Sequence, residues 1–318
     1  MFINQLRMLT QACSFALLTY GGRVGLHLGY ALPCFSCPYV SGCGGYCFLM
    51  FLQRVGIFGI AAYERLYSYI GLKNILWFFV FALLAALLSR FWCGWICPFG
   101  TVLDAIASLR RKIGIRELEL SEEAIKKLGY LRWGFLGIIF VMPLLISFAG
   151  FSQDLYILFC KICPARVIMP FFAGDFRRIG LEYSNWLTLI ISLVGIAFAA
   201  FTLVASFFKD RFFCLVCPML PLIKVCDRLS PWSFSKQAVH CRGCGNCQRV
   251  CPMDIREVHL QKENGSVMDD RCILCMNCME ACPENQSLNL KFRHKTFFKS
   301  SRKYFLEKFF KRAGERGE

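Results

Sequence analysis

Long apolar runs, separated by short charged or cysteine-bearing segments, fill the first two thirds of the chain. Residues 8–32, 72–89, 131–149 and 186–208 each hold enough consecutive apolar side chains to cross about 30 Å of hydrocarbon as a helix. Residues 48–62 are apolar too, but the run is only about fifteen residues long and carries Arg54. That pattern suits a re-entrant or interfacial helix, and gives five spans instead of four if the segment crosses. Residues 101–130 form a charged connection that starts amphipathically, with Val102, Leu103, Ile106 and Leu109 on one helix face suited to lying on a membrane surface. The apolar runs stop after residue 208. The pattern predicts an all-α polytopic membrane domain over 1–235, a small α+β domain over 236–290, and a basic, aromatic, amphipathic tail over 291–318.

The membrane part repeats itself. The first and third spans are each followed by Cys-x2-Cys-Pro, at Cys34/Cys37 and Cys160/Cys163, and Arg90-Phe-Trp-Cys93 after the second span echoes Arg211-Phe-Phe-Cys214 after the fourth. Halves 8–130 and 131–235 related by an axis along the membrane normal would bring equivalent motifs together on each face. Lys and Arg fix the orientation: two lie in 33–71, four in 150–185, seven in 90–130 and twenty in 209–318. The last two segments are therefore expected on the cytoplasmic side, whether four or five spans cross.

Composition agrees: 56% of the 318 residues are hydrophobic, and the net charge of +16 is concentrated toward the C-terminus. So uneven a charge sets topology and suits the anionic inner leaflet, and nucleic acid is not an expected partner. Twenty cysteines change the picture more, since sixteen sit in short-spaced sets, most of them ending in Cys-Pro. Such spacing favours metal ligation over a disulfide scaffold. There is no Cys-x-x-Cys-His for haem attachment, no flavin or dinucleotide fingerprint and no phosphate loop, which leaves iron and sulfur.

Cys241, Cys244, Cys247 and Cys251-Pro252 repeat as Cys272, Cys275, Cys278 and Cys282-Pro283, each with the spacing C-x2-C-x2-C-x3-C-P of bacterial ferredoxins. Two intervening residues let three sulfurs converge on one cubane, and the fourth cysteine crosses to the other cluster. This assigns Cys241, Cys244, Cys247 and Cys282 to one 4Fe-4S cluster, and Cys272, Cys275, Cys278 and Cys251 to a second. Asn264-Gly265 is a turn signal between the halves. In the membrane part, Cys93, Cys97, Cys214 and Cys217 are candidate ligands for a cluster at the inner face. Cys34, Cys37, Cys160 and Cys163 are candidates at the outer face, with Cys43 and Cys47 as rival ligands and disulfides as the competing chemistry there. One or two further clusters are thus expected besides the ferredoxin pair. Tyr20, Arg23 and His27 fall at helical spacing within the first span, with Tyr30 after them, and are candidates for holding a quinone headgroup. The alternative is an interface belt with a snorkelling arginine.

Apolar spans, Arg90-Phe-Trp-Cys93-Gly-Trp-Ile-Cys97-Pro-Phe-Gly100, Arg211-Phe-Phe-Cys214-Leu-Val-Cys217-Pro218 and the double ferredoxin run together resemble the NapH-type membrane iron–sulfur proteins. NosR and the copper-reducing assembly factors of cytochrome oxidase share this core. The resemblance covers roughly residues 70–290. It implies a quinol-dehydrogenase-like oxidoreductase subunit in a prokaryotic cytoplasmic membrane. Such a subunit would pass electrons between the quinone pool or a cytoplasmic donor and a partner redox subunit, cytoplasmic or periplasmic. Two features depart from the pattern: the flavin-binding and immunoglobulin-like domains of some members are missing, and residues 34–47 hold four cysteines around a Gly-Cys-Gly-Gly insert. The second departure keeps a rival open, a maturation or sensor protein that reduces a metal or thiol outside. A structural anchor for a soluble reductase is a third reading.

Overall fold

A computed structural model describes residues 3–26, 47–55, 69–149, 153–155, 157–174, 184–227, 229–293 and 295–309. The helices of the first two thirds are α1 (Ile3–Tyr20), α2 (Phe48–Val55), α3 (Tyr69–Leu88), α4 (Pro98–Ile113), α5 (Glu122–Ala149), α6 (Leu158–Ile162), α7 (Pro164–Phe172), α8 (Trp186–Phe208), α9 (Phe212–Val216) and α10 (Met219–Asp227). The last third adds β1 (Trp232–Lys236), α11 (Asn246–Arg249), α12 (Glu257–Leu260), β2 (Gly265–Ser266), α13 (Asn277–Glu280), β3 (Leu288–Phe292), β4 (Lys295–Lys299) and α14 (Arg302–Phe309). The chain divides into two compact units. One comprises residues 11–84 and 96–219; the other comprises 1–10, 85–95 and 220–318.

Among the described residues, two helices are long and apolar enough to cross a membrane, Glu122–Ile146 and Trp186–Phe208, and Ile75–Leu88 is a shorter apolar helix. Helix α8 matches the expected span at both ends: the Asn185 N–H donates to Thr188 Oγ1 at its start, and Arg110 donates to the Phe208 carbonyl at its finish. A guanidinium at a helix C-terminus satisfies an orphan carbonyl and meets the negative end of the dipole. Arg110 is buried and also pairs with Asp210 at 2.8 Å. Trp186, Ile190, Leu193, Phe201 and Val204 of α8 stay exposed, and so do Leu76, Phe79 and Leu83 of α3.

Four expectations are corrected. Helix α5 starts at Glu122 and not at 131, because Ser121 Oγ accepts the Ala124 N–H and Glu122 and Glu123 occupy the positive first turn. Val102 and Leu103 of α4 do not face a membrane surface; they enter a core with Ile168, Met169, Ala199 and Phe213, and of that stripe only Leu109 is exposed. Helix α1 ends at Tyr20 instead of running to 32, since Gly21 and Gly22 favour a 3-10 turn that Gly25 closes at φ +80°. The tail is not helical from 291: β3 continues to Phe292, and Lys295–Lys299 pairs with it as β4.

In the other unit the sheet is antiparallel in the order β2-β1-β3-β4. Phe234 faces Leu290 across β1 and β3, and these two with Met253, Ile273, Leu274 and Met279 form the core. The Asn264-Gly265 turn leads into β2, which pairs with β1, and Asn264 Oδ1 accepts the Ala238 N–H.

Candidate iron–sulfur sites

Two cavities lie against the sheet. One is lined by Cys251, Cys272, Cys275 and Cys278 with Phe234, Ile273 and Met253, and Cys247 at its edge. The other is lined by Cys241, Cys244, Cys247 and Cys282 with Lys236 and Ser287. The backbone makes this grouping possible. Short helical turns at α11 and α13 follow left-handed residues, Gly245 (φ +75°) and Met276 (φ +63°), which turn the sulfurs inward. N–H groups of Met253 and Ile255 point at the Cys251 sulfur, and that of Leu274 at Cys272. Cys282 Sγ donates to the Glu284 carbonyl at 3.7 Å, and Ser300 Oγ donates to the same carbonyl at 2.8 Å. Burial pushes the Cys247 thiol up to about 11 and the Cys272 thiol up to about 12. It moves Cys251, Cys278 and Cys282 the same way. Such thiols become thiolates only with a cationic partner in the cavity. Among the described residues no three His, Cys, Asp or Glu side chains converge on a single ion-sized point. A cubane suits wider sulfur spacing than zinc does, because its four thiolates bind four different irons.

Two buried cations serve this unit that the sequence did not single out for the site. Lys236 Nζ donates to the carbonyls of Val258, His259 and Gln261 behind the second cavity. Arg90, 3% exposed, pairs with Asp227 at 2.5 Å and donates to the carbonyls of Asp269 and Cys272. Their sequence signal was slight: a lysine in a strand, and an arginine three residues before a Cys-x3-Cys-Pro.

The Cys-Pro motifs of the helical part share one backbone device. A left-handed residue, Ile157 (52°, 37°) or Arg211 (52°, 36°), starts the five-residue helix α6 or α9. An extended cysteine, Cys163 or Cys217, ends it before proline. Ser89 (φ +49°) opens the same turn before Cys93, and the extra residue of Cys93-x3-Cys97 is absorbed as a π-helical turn over Trp92–Ile96. Proline is favoured at the first helical position, and Pro98 and Pro164 start α4 and α7 there, with the preceding Cys97 and Cys163 as N-caps. Cys97 Sγ accepts the Gly100 N–H at 3.4 Å.

Cys97, Cys163, Cys214 and Cys217 pack against one core that includes Phe99, Ile168 and Val216. Cys97, Cys214 and Cys217 of the expected inner set and Cys163 of the expected outer set thus share one core. The physical reason is that α6, α7 and α9 fold back beside α8: a Cβ on Gly195, mid-helix, would sit 2.6 Å from the Lys161 carbonyl. Buried Gln53 donates to Cys160 Sγ at 3.2 Å and accepts the Phe159 N–H. Cys93 belongs to the other unit, and Cys34, Cys37 and Cys43 lie outside the described residues. No disulfide is present among the described residues. Arg211 is fully buried and grips Asp104 with two hydrogen bonds of 2.7 and 2.6 Å, and Gln11 also donates to that carboxylate.

An apolar cavity of about 630 Å³ opens between α4, α7 and α8, lined by Phe15, Val102, Ile106, Val167, Phe171 and Leu203 among others. Tyr20 OH donates to the Phe172 carbonyl at 2.7 Å, and Arg23 donates to that of Ala173. Since the α-helix stops at Tyr20, the expected helical face of Tyr20, Arg23 and His27 is not formed as such; His27 lies outside the described residues.

Cysteine-ringed cavities on an antiparallel sheet define a ferredoxin-type iron–sulfur protein. A family described as "4Fe-4S dicluster domain" matches residues 234–283, and one described as "4Fe-4S binding domain" matches 70–116 and 191–230. The chain is 29% identical to YccM of Escherichia coli over 67% of its own length and 54% of YccM. It is 28% identical to the ferredoxin-type protein NapH of Haemophilus influenzae over 63% of itself and 62% of NapH. To the regulatory protein NosR of Stutzerimonas stutzeri it is 25% identical, over 64% of itself and 25% of NosR. The chain thus spans about half the length of YccM and a quarter of NosR. No solved structure matches it. Over about two thirds of its own length the chain is similar to iron–sulfur proteins of the NapH and NosR type.

Proposed function

We propose that this chain is a membrane-bound relay for single electrons between the quinone pool or a cytoplasmic donor and a partner redox enzyme. The reading is carried by the two cavities, each ringed by the four cysteines that a crossed ferredoxin motif allots to one cluster. The donor sets fit: four sulfurs, apolar side chains in the walls, and backbone N–H groups beside Cys251 and Cys272. Bound clusters would supply one-electron chemistry; the protein orients the thiolates, excludes water and sets potentials through these hydrogen bonds.

The membrane part holds at least one further cluster in this reading. Cys97, Cys163, Cys214 and Cys217 are a partly buried set on one core, and the turn shared by α6 and α9 supports the internal repeat. Lipid meets the exposed apolar faces of α3 and α8. The excess of Lys and Arg after residue 208 favours a cytoplasmic ferredoxin fold, in a membrane part of four or five spans. Quinone enters the apolar cavity beside Phe15 and Phe171, with Tyr20 and Arg23 at that end of α7.

Anaerobic iron and acid-labile sulfide analysis of the full chain tests this. About twelve or more irons per chain, falling by about four in Cys214→Ser, is expected at four irons per cubane. About eight in both proteins would leave only the ferredoxin pair and remove the relay through the helical part.

A further inference from the structure

The segment carrying Cys93 docks on one of the two cluster loops. Arg90 donates to the carbonyls of Asp269 and Cys272. Trp95 Nε1 donates to that of Leu274 at 2.9 Å, and Arg7 donates to that of Cys275 at 3.3 Å and to Asn277 Oδ1 at 3.1 Å. Between them Gly94 lies so close that a Cβ there would sit 2.2 Å from the Ile273 carbonyl. Carbonyls from Asp269 to Cys275 are thus covered by one Arg-Phe-Trp-Cys-Gly-Trp motif and the first helix. The other cavity looks outward: Cys244 is exposed, the Arg242 side chain is 80% exposed and Val239 84%.

Resting on the cluster reading above, we infer that the buried Arg90, docked on the Cys272 loop, tunes the reduction potential of the site of Cys251, Cys272, Cys275 and Cys278 and leaves that of the outward-facing site of Cys241, Cys244, Cys247 and Cys282 alone. Arg90 is the residue that sets the potential of the first site. Each transfer moves one electron and makes or breaks no bond; the acceptor gains what the donor loses. The buried guanidinium favours the extra negative charge of a reduced cluster at the Cys272 end, where low dielectric strengthens the interaction. Asp227 pairs with Arg90 and neutralises part of its charge, whereas the Asp269 carboxylate pairs with Arg271 at 2.9 Å.

The test is a potentiometric titration of the full chain with dithionite and ferricyanide, read by electron paramagnetic resonance. The two ferredoxin signals are assigned by which one changes in Cys278→Ser and which in Cys244→Ser. Arg90→Gln is expected to lower the potential of the Cys278-dependent signal and leave the Cys244-dependent one in place, with Arg90→Lys restoring most of the shift. Where Arg90→Gln alone does not fold, the Arg90→Gln/Asp227→Asn pair removes both charges together. Trp95→Phe, which deletes one hydrogen bond, is expected to move the same signal in the same direction by less. Equal shifts of both signals, a shift of the Cys244-dependent signal alone, or no shift overturns the assignment. Fewer than about eight irons in the unaltered protein would instead overturn the cluster reading itself.

Discussion

Arg211 holds a left-handed backbone, a buried side chain and a two-pronged grip on Asp104 at once. Removing one member of a buried pair leaves an uncompensated charge, so Arg211→Ala is expected to cost about 3–5 kcal/mol. The Arg211→Ala/Asp104→Ala pair should cost less than the sum of the single changes, which denaturant unfolding in detergent measures. Lys236 tests the other cavity: Lys236→Met removes a cation that holds three carbonyls, and is expected to lower the potential of the Cys244-dependent signal only. Single residues were unevenly legible. The eight ferredoxin cysteines announce themselves because ligand spacing is a local property of sequence. Arg90, Arg211, Lys236 and Gln53 do not, because their partners lie far along the chain and only the fold brings them together.

Among elements, the long apolar helices were legible and their turns were not. Hydropathy finds α8 to the residue but says nothing of α6, α7 and α9 returning beside it, since helices of five to nine residues are too short for a period to show. Nor does it see β4, where basic and aromatic residues suit an edge strand as well as a helix. Gly195 is where the return is closest. Gly195→Ala would press a methyl on the Lys161 carbonyl, and a destabilisation of about 1–3 kcal/mol is expected. At Gly137, where a Cβ would meet nothing within 4 Å, the same substitution should be neutral or slightly stabilising by helix propensity. Thermal unfolding of the two variants side by side checks this.

For the whole molecule, the apolar faces of α3 and α8 require a nonaqueous partner. The chain is expected in the membrane fraction after an alkaline carbonate wash and in solution only with detergent; release by carbonate would refute the spans. The ferredoxin-bearing unit is assembled from residues 1–10, 85–95 and 220–318. Biosynthesis therefore makes two of its pieces long before the third. Until residues 269–275 leave the ribosome, Arg7 and Arg90 lack the carbonyls of Cys275 and Cys272 they will hold. The ferredoxin cavities can therefore close only once residues 241–282 have followed the two earlier pieces that brace them.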